Sequence, residues 1–221
     1  MGSIVVTGAA GTLGRALASL LGDHGHDVIG VDLSAEAPGF AGTFIGGVDL
    51  TSVDAAERVA RTVAARGPIS GLANIAGGFR WETVIEGSPD SWDFLHRINV
   101  MTALHMSRAL ASALIASKGA IVNVGANATA RAGMGMGAYT ASKSGVARLT
   151  EAFAEELKVK GVRVNAVLPS IIDTPANRAD LGEADAQKWI KPSELAQVIA
   201  FLLSDTASGI TGALLPVVGR V

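Results

Sequence analysis

The chain has 221 residues, of which 49% are hydrophobic, and a formal net charge of −2. This length suits one large α/β domain as well as two small ones, and the balanced charge gives no electrostatic footprint of a protein that binds nucleic acid or anionic membranes. The chain contains no cysteine, which excludes disulfides, thiolate catalysis and cysteine-ligated metal sites within it.

The N-terminus enters an apolar run without a basic targeting region, and no stretch reaches the roughly 18 apolar residues that span a bilayer. The four histidines are scattered and lack carboxylate partners at metal-ligand spacing. We therefore expect a cytoplasmic protein with no metal site and with neither nucleic acid nor membrane as a partner.

Short β-rich runs alternate with longer helical patterns along the chain. This alternation predicts one domain over residues 1–221, a doubly wound sheet of about seven parallel strands with helices on both faces. Most of the runs are almost continuously apolar, as is typical of strands that are covered on both sides. The predicted strands are Ile4–Thr7, Val28–Val31, Thr43–Val48, Ser70–Asn74, Ala120–Gly125, Val162–Leu168 and Ala213–Val218.

Helical patterns fill the gaps between these strands. Two of them have apolar stripes at helical spacing, one at Leu13, Leu17, Leu20 and Leu21 and one at Val146, Leu149, Phe153 and Leu157. The least regular stretch covers residues 169–191. A loop of that length in a compact domain is often a lid over a ligand, and a surface excursion is the alternative.

A glycine-rich segment joins the first predicted strand to the first predicted helix. Its glycines allow left-handed backbone angles and let the chain approach a pyrophosphate, which then lies on the helix N-terminus. A glycine triplet alone is weak evidence, but this one has the strand–turn–helix context of a Rossmann-type dinucleotide site. The residues expected to contact the cofactor are Gly8, Gly11, Thr12, Leu13 and Gly14.

Asp32 ends the second predicted strand, 18 residues after Gly14. A carboxylate there accepts both ribose hydroxyls of the adenosine half and repels a 2′-phosphate, which favours NAD(H) over NADP(H). A turn or cap role for Asp32 is the alternative. Leu33 is assigned to the same site, and Asp49 and Leu50 at the end of the third strand are less specific candidates for contact with the adenine.

Tyr139 and Lys143 are four residues apart and share one face of a predicted helix. A lysine ammonium near a tyrosine hydroxyl stabilises the phenolate, so we expect the pKa of Tyr139 to be lowered towards neutral pH. Such a pair alone is more often a solvated helix face. This one follows the fifth strand and a glycine-rich loop, which brings it to the ligand-binding edge of an open sheet.

In this order, the segments resemble the short-chain dehydrogenase/reductase family along essentially the whole chain. The resemblance rests on the glycine loop, Asp49-Leu50, Asn74-Ile75-Ala76-Gly77, Asn99, Tyr139 with Lys143, Leu168-Pro169-Ser170 and Ile210-Thr211-Gly212. It implies that Asn99 holds a water in a proton relay, that Lys143 also binds the nicotinamide ribose, and that Thr174 contacts the carboxamide. The cofactor contacts it adds are Asn74, Ala76, Gly77, Tyr139, Lys143 and Pro169.

Ala126 departs from the family pattern, because the commonest members carry a serine thirteen residues before the tyrosine. That serine donates a hydrogen bond to the carbonyl oxygen that becomes an alkoxide, and losing such a donor costs roughly 10²–10³ in rate at a comparable oxyanion site. Three explanations are open. Asn127 or Thr129 supplies the donor, the chain is a catalytically weak dinucleotide-binding relative, or the substrate develops no alkoxide.

Several departures are similar to one branch of the family, the dihydropteridine reductases, and that branch is the resemblance we favour. They include Leu13 before the last glycine, Phe79 after Ala76-Gly77-Gly78, and Ala126 itself. The branch reduces a quinonoid dihydropterin with NADH, and a nitrogen is protonated without an alkoxide. The resemblance implies that the substrate meets Phe79, Ala126, Asn127, Met134 and Tyr139, although Phe79 serves equally well as a core aromatic.

The leading hypothesis is an NAD(H)-dependent oxidoreductase for a dihydropterin, with a small carbonyl or alcohol of 3-oxoacyl type as the alternative. The other class is a non-catalytic dinucleotide sensor, against which the intact Asn99, Tyr139 and Lys143 argue. Trp81, Trp92 and Trp189 are expected to be packing residues.

A homodimer or homotetramer is expected from the resemblance, because relatives pair the two long helices after strands four and five. Small residues on the tyrosine helix would allow close packing there, namely Ala141, Ala147, Ala152 and Ala154.

Overall fold

Seven strands form one sheet in the computed structural model, which describes residues 2–221. The strands are β1 Ser3–Thr7, β2 Val28–Val31, β3 Thr43–Ile45, β4 Ile69–Asn74, β5 Ala120–Val124, β6 Arg163–Pro169 and β7 Leu214–Val217. Their spatial order is β3-β2-β1-β4-β5-β6-β7, and every pairing is parallel. The predicted doubly wound parallel sheet is confirmed, and its order reverses between β1 and β4, where such sheets bind ligands.

Helices cover both faces of this sheet. They are α1 Thr12–Asp23, α2 Val53–Ala64, α3 Pro89–His96, α4 Thr102–Ser117, α5 Gly137–Leu157, α6 Pro175–Leu181 and α7 Pro192–Leu203. The apolar faces of α1 and α7 form the core on one side of the sheet, and those of α2, α4 and α5 form the core on the other. A π-helical turn, Arg97–Met101, joins α3 to α4.

The strand β3 is shorter than predicted, since it ends at Ile45 and not at Val48. Beyond Ile45 the backbone N–H groups donate to carbonyls of the segment that follows β2. Gly47 N–H donates to the carbonyl of Ser34 at 3.1 Å and Val48 N–H donates to the carbonyl of Asp32 at 2.9 Å. The chain therefore leaves the ladder to brace the segment that follows β2, a change that the apolar run does not signal.

The helical stretch Pro89–Ser117 is, by length and composition, apolar enough to cross a membrane, with a mean hydropathy of 1.2 over its most apolar window. Half of that window is buried, and Met106, Leu110 and Leu114 pack against the sheet with almost no exposure. This burial is the pattern of a core helix. The prediction that no stretch reaches about 18 apolar residues is not contradicted, because polar residues such as His105 and Arg108 interrupt this one.

The stretch 169–191, predicted to be irregular, contains α6 and is tied to the rest of the chain. Thr174 caps α6 by accepting the N–H of Asn177 at 3.2 Å. Near the two ends of the stretch 169–191, Ile172 and Ile190 form a parallel bridge. The Asp173 carboxylate pairs with the Arg178 guanidinium at 2.6 Å.

The small residues of α5 do not share one surface. Ala147 and Ala154 are buried in the core, at 4% and 3% exposure, while Ala141 and Ala152 are exposed. Ala147 and Ala154 are seven residues apart and therefore both face the sheet. The expectation that all four small residues lie on an outer packing face was therefore wrong for these two.

Candidate active site

The glycine loop lies between β1 and α1 and touches the end of β4. Gly8 has φ +65°, and a β-carbon there would lie 2.8 Å from the backbone nitrogen of Ala76. A β-carbon at Gly14 would collide with the carbonyl oxygen of Gly8. Only glycine fits at these two close approaches.

The N-terminus of α1 has no side-chain cap. Gly11 is its N-cap residue and no acidic residue lies in its first turn. The first N–H groups of a helix have no partner within the helix and carry the positive end of its dipole. This end of α1 is therefore suited to an anionic group, such as the pyrophosphate of a dinucleotide. Thr12 is exposed at this end and Leu13 is buried beneath it.

Asp32 lies at the end of β2 beside the glycine loop. Its two carboxylate oxygens accept the backbone N–H groups of Ala10 and Ser34, each at 2.9 Å. These bonds fix the carboxylate in a partly buried position and leave further lone pairs for hydroxyl donors. Leu33, the next residue, is 70% exposed.

Asp49 follows β3 and is exposed, with one carboxylate oxygen accepting the N–H of Thr51 at 2.9 Å. The hydrogen bonds from Thr51 lower the pKa of Asp49, and Arg97 adds to the effect. Leu50 is buried, and its carbonyl oxygen lies 3.0 Å from Nδ1 of His105. In this structure Asp49 makes the turn that leads into α2.

Asn74 ends β4 but its side chain lies in the core, 4% exposed. Its amide donates to Asn123 Oδ1 at 2.8 Å and to Ser107 Oγ at 3.0 Å. Asn123 in turn donates to Thr150 Oγ1 at 2.9 Å. The network joins β4 and β5 to α4 and α5, so the Asn74 side chain positions the elements that carry the site.

Asn99 lies in the π-helical turn between α3 and α4, where such turns often mark functional sites. Its amide donates to the carbonyl of Gly78 at 3.1 Å, and its Oδ1 accepts the N–H of Gly78 at 3.0 Å. A β-carbon on Gly77 would lie 2.5 Å from Asn99 Oδ1 and 3.4 Å from Lys143 Nζ. The glycines after β4 thus bring Asn99 and Lys143 together.

Ser142 is a site residue that the sequence analysis did not select. Asn99 donates to its hydroxyl oxygen at 3.0 Å, and that hydroxyl donates to the carbonyl of Tyr139 at 2.7 Å. Both Asn99 and Ser142 are buried. Its place directly before Lys143 was the available signal, but a serine inside a helix more often bonds only to its own backbone.

Lys143 is buried and donates from Nζ to the carbonyl oxygen of Val124 at 2.8 Å. Burial lowers the pKa of Lys143 to about 8. Burial also raises the pKa of Tyr139 to about 12. The expectation that the pKa of Tyr139 is lowered was wrong for this structure, because loss of solvation outweighs any effect of the ammonium group. The Tyr139 hydroxyl is therefore protonated at pH 7.

Phe79 contacts Tyr139 edge to face, with ring centroids 4.9 Å apart and an interplanar angle of 82°. It is 51% exposed, so the alternative of a core aromatic is wrong. Two more expectations fail in the same region. Trp81 and Trp92 are 56% and 42% exposed, and only Trp189, at 5%, is a buried packing residue.

Ala126 is buried, at 4% exposure, directly after β5 and Gly125. Thr129 donates its hydroxyl to the carbonyl of Ala126 at 2.8 Å. Asn127 begins a short 3-10 turn and is partly exposed, and among residues 2–221 its amide has no hydrogen-bond partner. Of the two candidate substitutes for the family serine, Asn127 has the uncommitted side chain.

Three further residues were assigned to the site from the sequence. Met134, in the loop before α5, is 81% exposed. Pro169 is buried at the end of β6. The Thr174 hydroxyl oxygen serves as the cap of α6.

Comparison with known proteins defines the class. Residues 8–219 match a family model described as enoyl-(acyl carrier protein) reductase. The 3-oxoacyl-[acyl-carrier-protein] reductase of Thermotoga maritima is 30% identical, with 97% of this chain and 95% of the relative covered. The 2-dehydro-3-deoxy-D-gluconate 5-dehydrogenase of Escherichia coli is 31% identical, with 94% and 90% covered.

The solved structure of a short-chain type dehydrogenase/reductase from Mycobacterium ulcerans superposes with a TM-score of 0.91 at 25% identity, covering 99% of this chain and 89% of that one. The fold and these matches define a dinucleotide-dependent oxidoreductase. The chain belongs to the short-chain dehydrogenase/reductase family. The narrower resemblance to dihydropteridine reductases finds no support in these relatives, whose names point to 3-oxoacyl and sugar-acid substrates.

Proposed function

We propose that the protein is an NAD(H)-dependent oxidoreductase that reduces a small carbonyl compound to an alcohol, with Tyr139 as the proton donor. The observation that carries this proposal is the meeting of Asn99 and Lys143 at Gly77, with Asn99 joined through Ser142 to the backbone of Tyr139. A bound nicotinamide cofactor supplies or accepts the hydride. The raised pKa of Tyr139, about 12, keeps the hydroxyl protonated, as carbonyl reduction requires.

The cofactor proposed is NAD(H), because Asp32 is held at the end of β2 by two backbone N–H groups. A fixed carboxylate binds ribose hydroxyls and repels the extra phosphate of NADP(H). The cradle formed by Gly8 and Gly14 and the uncapped N-terminus of α1 fit the pyrophosphate. Lys143 and Asn99 would lie beside the nicotinamide half, since both adjoin Gly77.

Asn127 is proposed as the donor that replaces the family serine, because the Thr129 hydroxyl is committed to a backbone carbonyl. Removing such a donor lowers kcat by roughly 10²–10³. Asn127→Ala should therefore abolish most carbonyl reduction, whereas Thr129→Val should affect it far less. Ala126→Ser in the Asn127→Ala background should restore part of the rate, and failure of both predictions would remove Asn127 from the mechanism.

A quinonoid dihydropterin is the second candidate substrate, and Ala126 is the observation that favours it. Protonation of a ring nitrogen needs no alkoxide donor, and the half-exposed Phe79 beside Tyr139 offers an aromatic surface to a flat heterocycle. If Asn127→Ala leaves dihydropterin reduction intact while carbonyl reduction is absent in the wild type, the second candidate replaces the first.

The deciding experiment follows the absorbance of reduced nicotinamide with NADH and with NADPH, offering a panel of ketones and aldehydes beside the dihydropterin. We expect NADH-dependent turnover of carbonyls. Tyr139→Phe should abolish this turnover and leave the dissociation constant for NADH unchanged. Full activity of Tyr139→Phe would refute the mechanism, and a preference for NADPH would refute the role given to Asp32.

A homodimer or homotetramer formed by α4 and α5 is proposed as the assembly, since Ala141 and Ala152 leave an exposed, small-residue face on α5. Substituting a bulky charged residue at Ala152 should dissociate it, as measured by light scattering. An unchanged mass for Ala152→Glu would place the interface elsewhere.

A further inference from the structure

The loop between β4 and α3 exposes its apolar side chains. We call residues 79–87 the apolar loop. Ile85 is 95% exposed, Val84 67%, Trp81 56% and Phe79 51%. Scattered exposed apolar residues are ordinary, but a contiguous group of this size on a short segment marks a binding surface.

Two of the three charged side chains of the same loop, Arg80 and Glu82, are bonded to neighbouring residues. The Arg80 guanidinium donates to the hydroxyl of Ser91 at 3.1 Å and lies 3.8 Å from the centre of the Phe94 ring. Glu82 accepts the hydroxyl hydrogen of the same buried Ser91 at 2.8 Å. Glu86 is exposed, as is Arg80. The loop therefore exposes four large apolar side chains while its Arg80 and Glu82 are bonded within the same fold.

The apolar loop packs against the start of α5. A β-carbon on Gly135 would collide with the Trp81 indole, and one on Gly137 would lie 2.9 Å from Val84 Cγ2. Glu82 N–H donates to the carbonyl of Gly135 at 3.0 Å. The glycines before the tyrosine helix thus make room for the apolar side chains, which fixes the loop at the mouth of the site.

The apolar loop adjoins the reacting centre at its first residue, Phe79, whose ring centroid lies 4.9 Å from that of Tyr139. Trp81 and Val84 lie against Gly135 and Gly137, directly before and at the start of the helix that carries Tyr139. Met134, 81% exposed in the neighbouring loop, adds a flexible apolar side chain. A substrate whose carbonyl lies at Tyr139 therefore has an apolar path away from it.

We propose that the apolar loop and Met134 select a carbonyl substrate with an uncharged, apolar body, an aliphatic chain or an aromatic ring that extends from the carbonyl group. The proposal rests on the proposed function and names its substrate class. Glu82 accepts hydrogen bonds from Ser88 and Ser91, and Arg80 lies over the Phe94 ring with a bond to Ser91. The large exposed side chains that adjoin Tyr139 are apolar, so the body of the substrate binds by burial of apolar area, with the gain growing with each methylene.

The test is a homologous series of straight-chain methyl ketones from four to ten carbons, with NADH as the reductant. The specificity constant kcat/KM of the wild type should rise about two- to fourfold per added methylene. Ile85→Ser and Met134→Ser should flatten this rise. The matched control is Val159→Ser. Val159 is 83% exposed, much like Met134, and lies in the short turn that follows α5. This variant should keep the wild-type rise of kcat/KM with chain length.

The proposal would be overturned if kcat/KM of the wild type did not rise with chain length, or if both loop variants kept the wild-type rise. Turnover of the short ketones would still uphold the proposed function in either case. If no ketone is reduced, the proposal is tested by ligand binding instead of turnover. Dissociation constants of straight-chain 1-alcohols, from tryptophan fluorescence in the presence of NADH, should fall with chain length and lose this dependence in Ile85→Ser. Loss of an oligomer in Ile85→Ser by light scattering would instead assign the face to a second copy and overturn the proposal.

Discussion

Replacement of Lys143 by methionine tests whether a buried ammonium group opposes folding at neutral pH. Burial lowers the pKa of Lys143 from 10.5 to about 8. The difference, 10.5 − 8, corresponds to about 3 kcal/mol of cost to the charged form in the folded state, at 1.36 kcal/mol per pKa unit. Methionine has a similar length and no charge, so Lys143→Met removes this cost together with the hydrogen bond to Val124.

The pH dependence separates these two effects. Below pH 8 the lysine is charged in the folded and the unfolded chain, so the folded state bears the whole cost. Between pH 8 and 10.5 the unfolded chain binds more protons, so wild-type stability rises with pH until the cost is gone. Tyr139 is present in both the wild type and the variant, so its own titration cancels in the comparison. The lost hydrogen bond, about 1–3 kcal/mol, has no such dependence.

The assay is urea unfolding of the free protein at pH 7 and pH 9.5. The free energy of unfolding of Lys143→Met relative to wild type should be higher at pH 7 than at pH 9.5, by about 2 kcal/mol. Lys160→Met, at an exposed lysine, is the control and should show almost no difference between the two pH values. An equal effect of Lys143→Met at both would refute the reasoning. The variant should also lose turnover.

Three further substitutions probe the site. Gly77→Ala places a β-carbon 2.5 Å from Asn99 Oδ1 and should lower kcat at least tenfold in the NADH assay, whereas Gly22→Ala, with open space in α1, should only raise stability by about 0.5–1 kcal/mol in urea unfolding. Asp32→Asn removes the negative charge and should lower the KM for NADPH relative to the KM for NADH. An unchanged ratio of the two KM values would contradict the role of the carboxylate. Ser142→Ala leaves the Asn99 amide without one acceptor and should lower kcat more than it raises KM, with an unchanged kcat/KM arguing for a merely structural hydroxyl.

Five of the seven strands are almost fully buried and therefore read as apolar runs, which made them predictable. The candidate site was predicted from residue spacing at the ends of the strands, and its roles stay predictions. The properties that could not be predicted from the sequence are those that depend on contacts with residues distant in the chain. Ser142 matters because Asn99, in a π-helical turn without a clear sequence signal, approaches it. The raised pKa of Tyr139 depends on burial, and the position of Trp81 depends on its contact with Gly135, in a distant part of the chain.

The amide network at the centre of the sheet has a consequence for assembly of the fold. Asn74 and Asn123 face each other in the β4–β5 register. A slip of β5 by one residue would turn the Asn123 amide towards the opposite face of the sheet and leave the Asn74 amide without this acceptor. Each buried polar group left without a partner would cost about 1–3 kcal/mol. The two asparagines thus disfavour misaligned pairing of the two strands whose carboxyl ends lead into the candidate site.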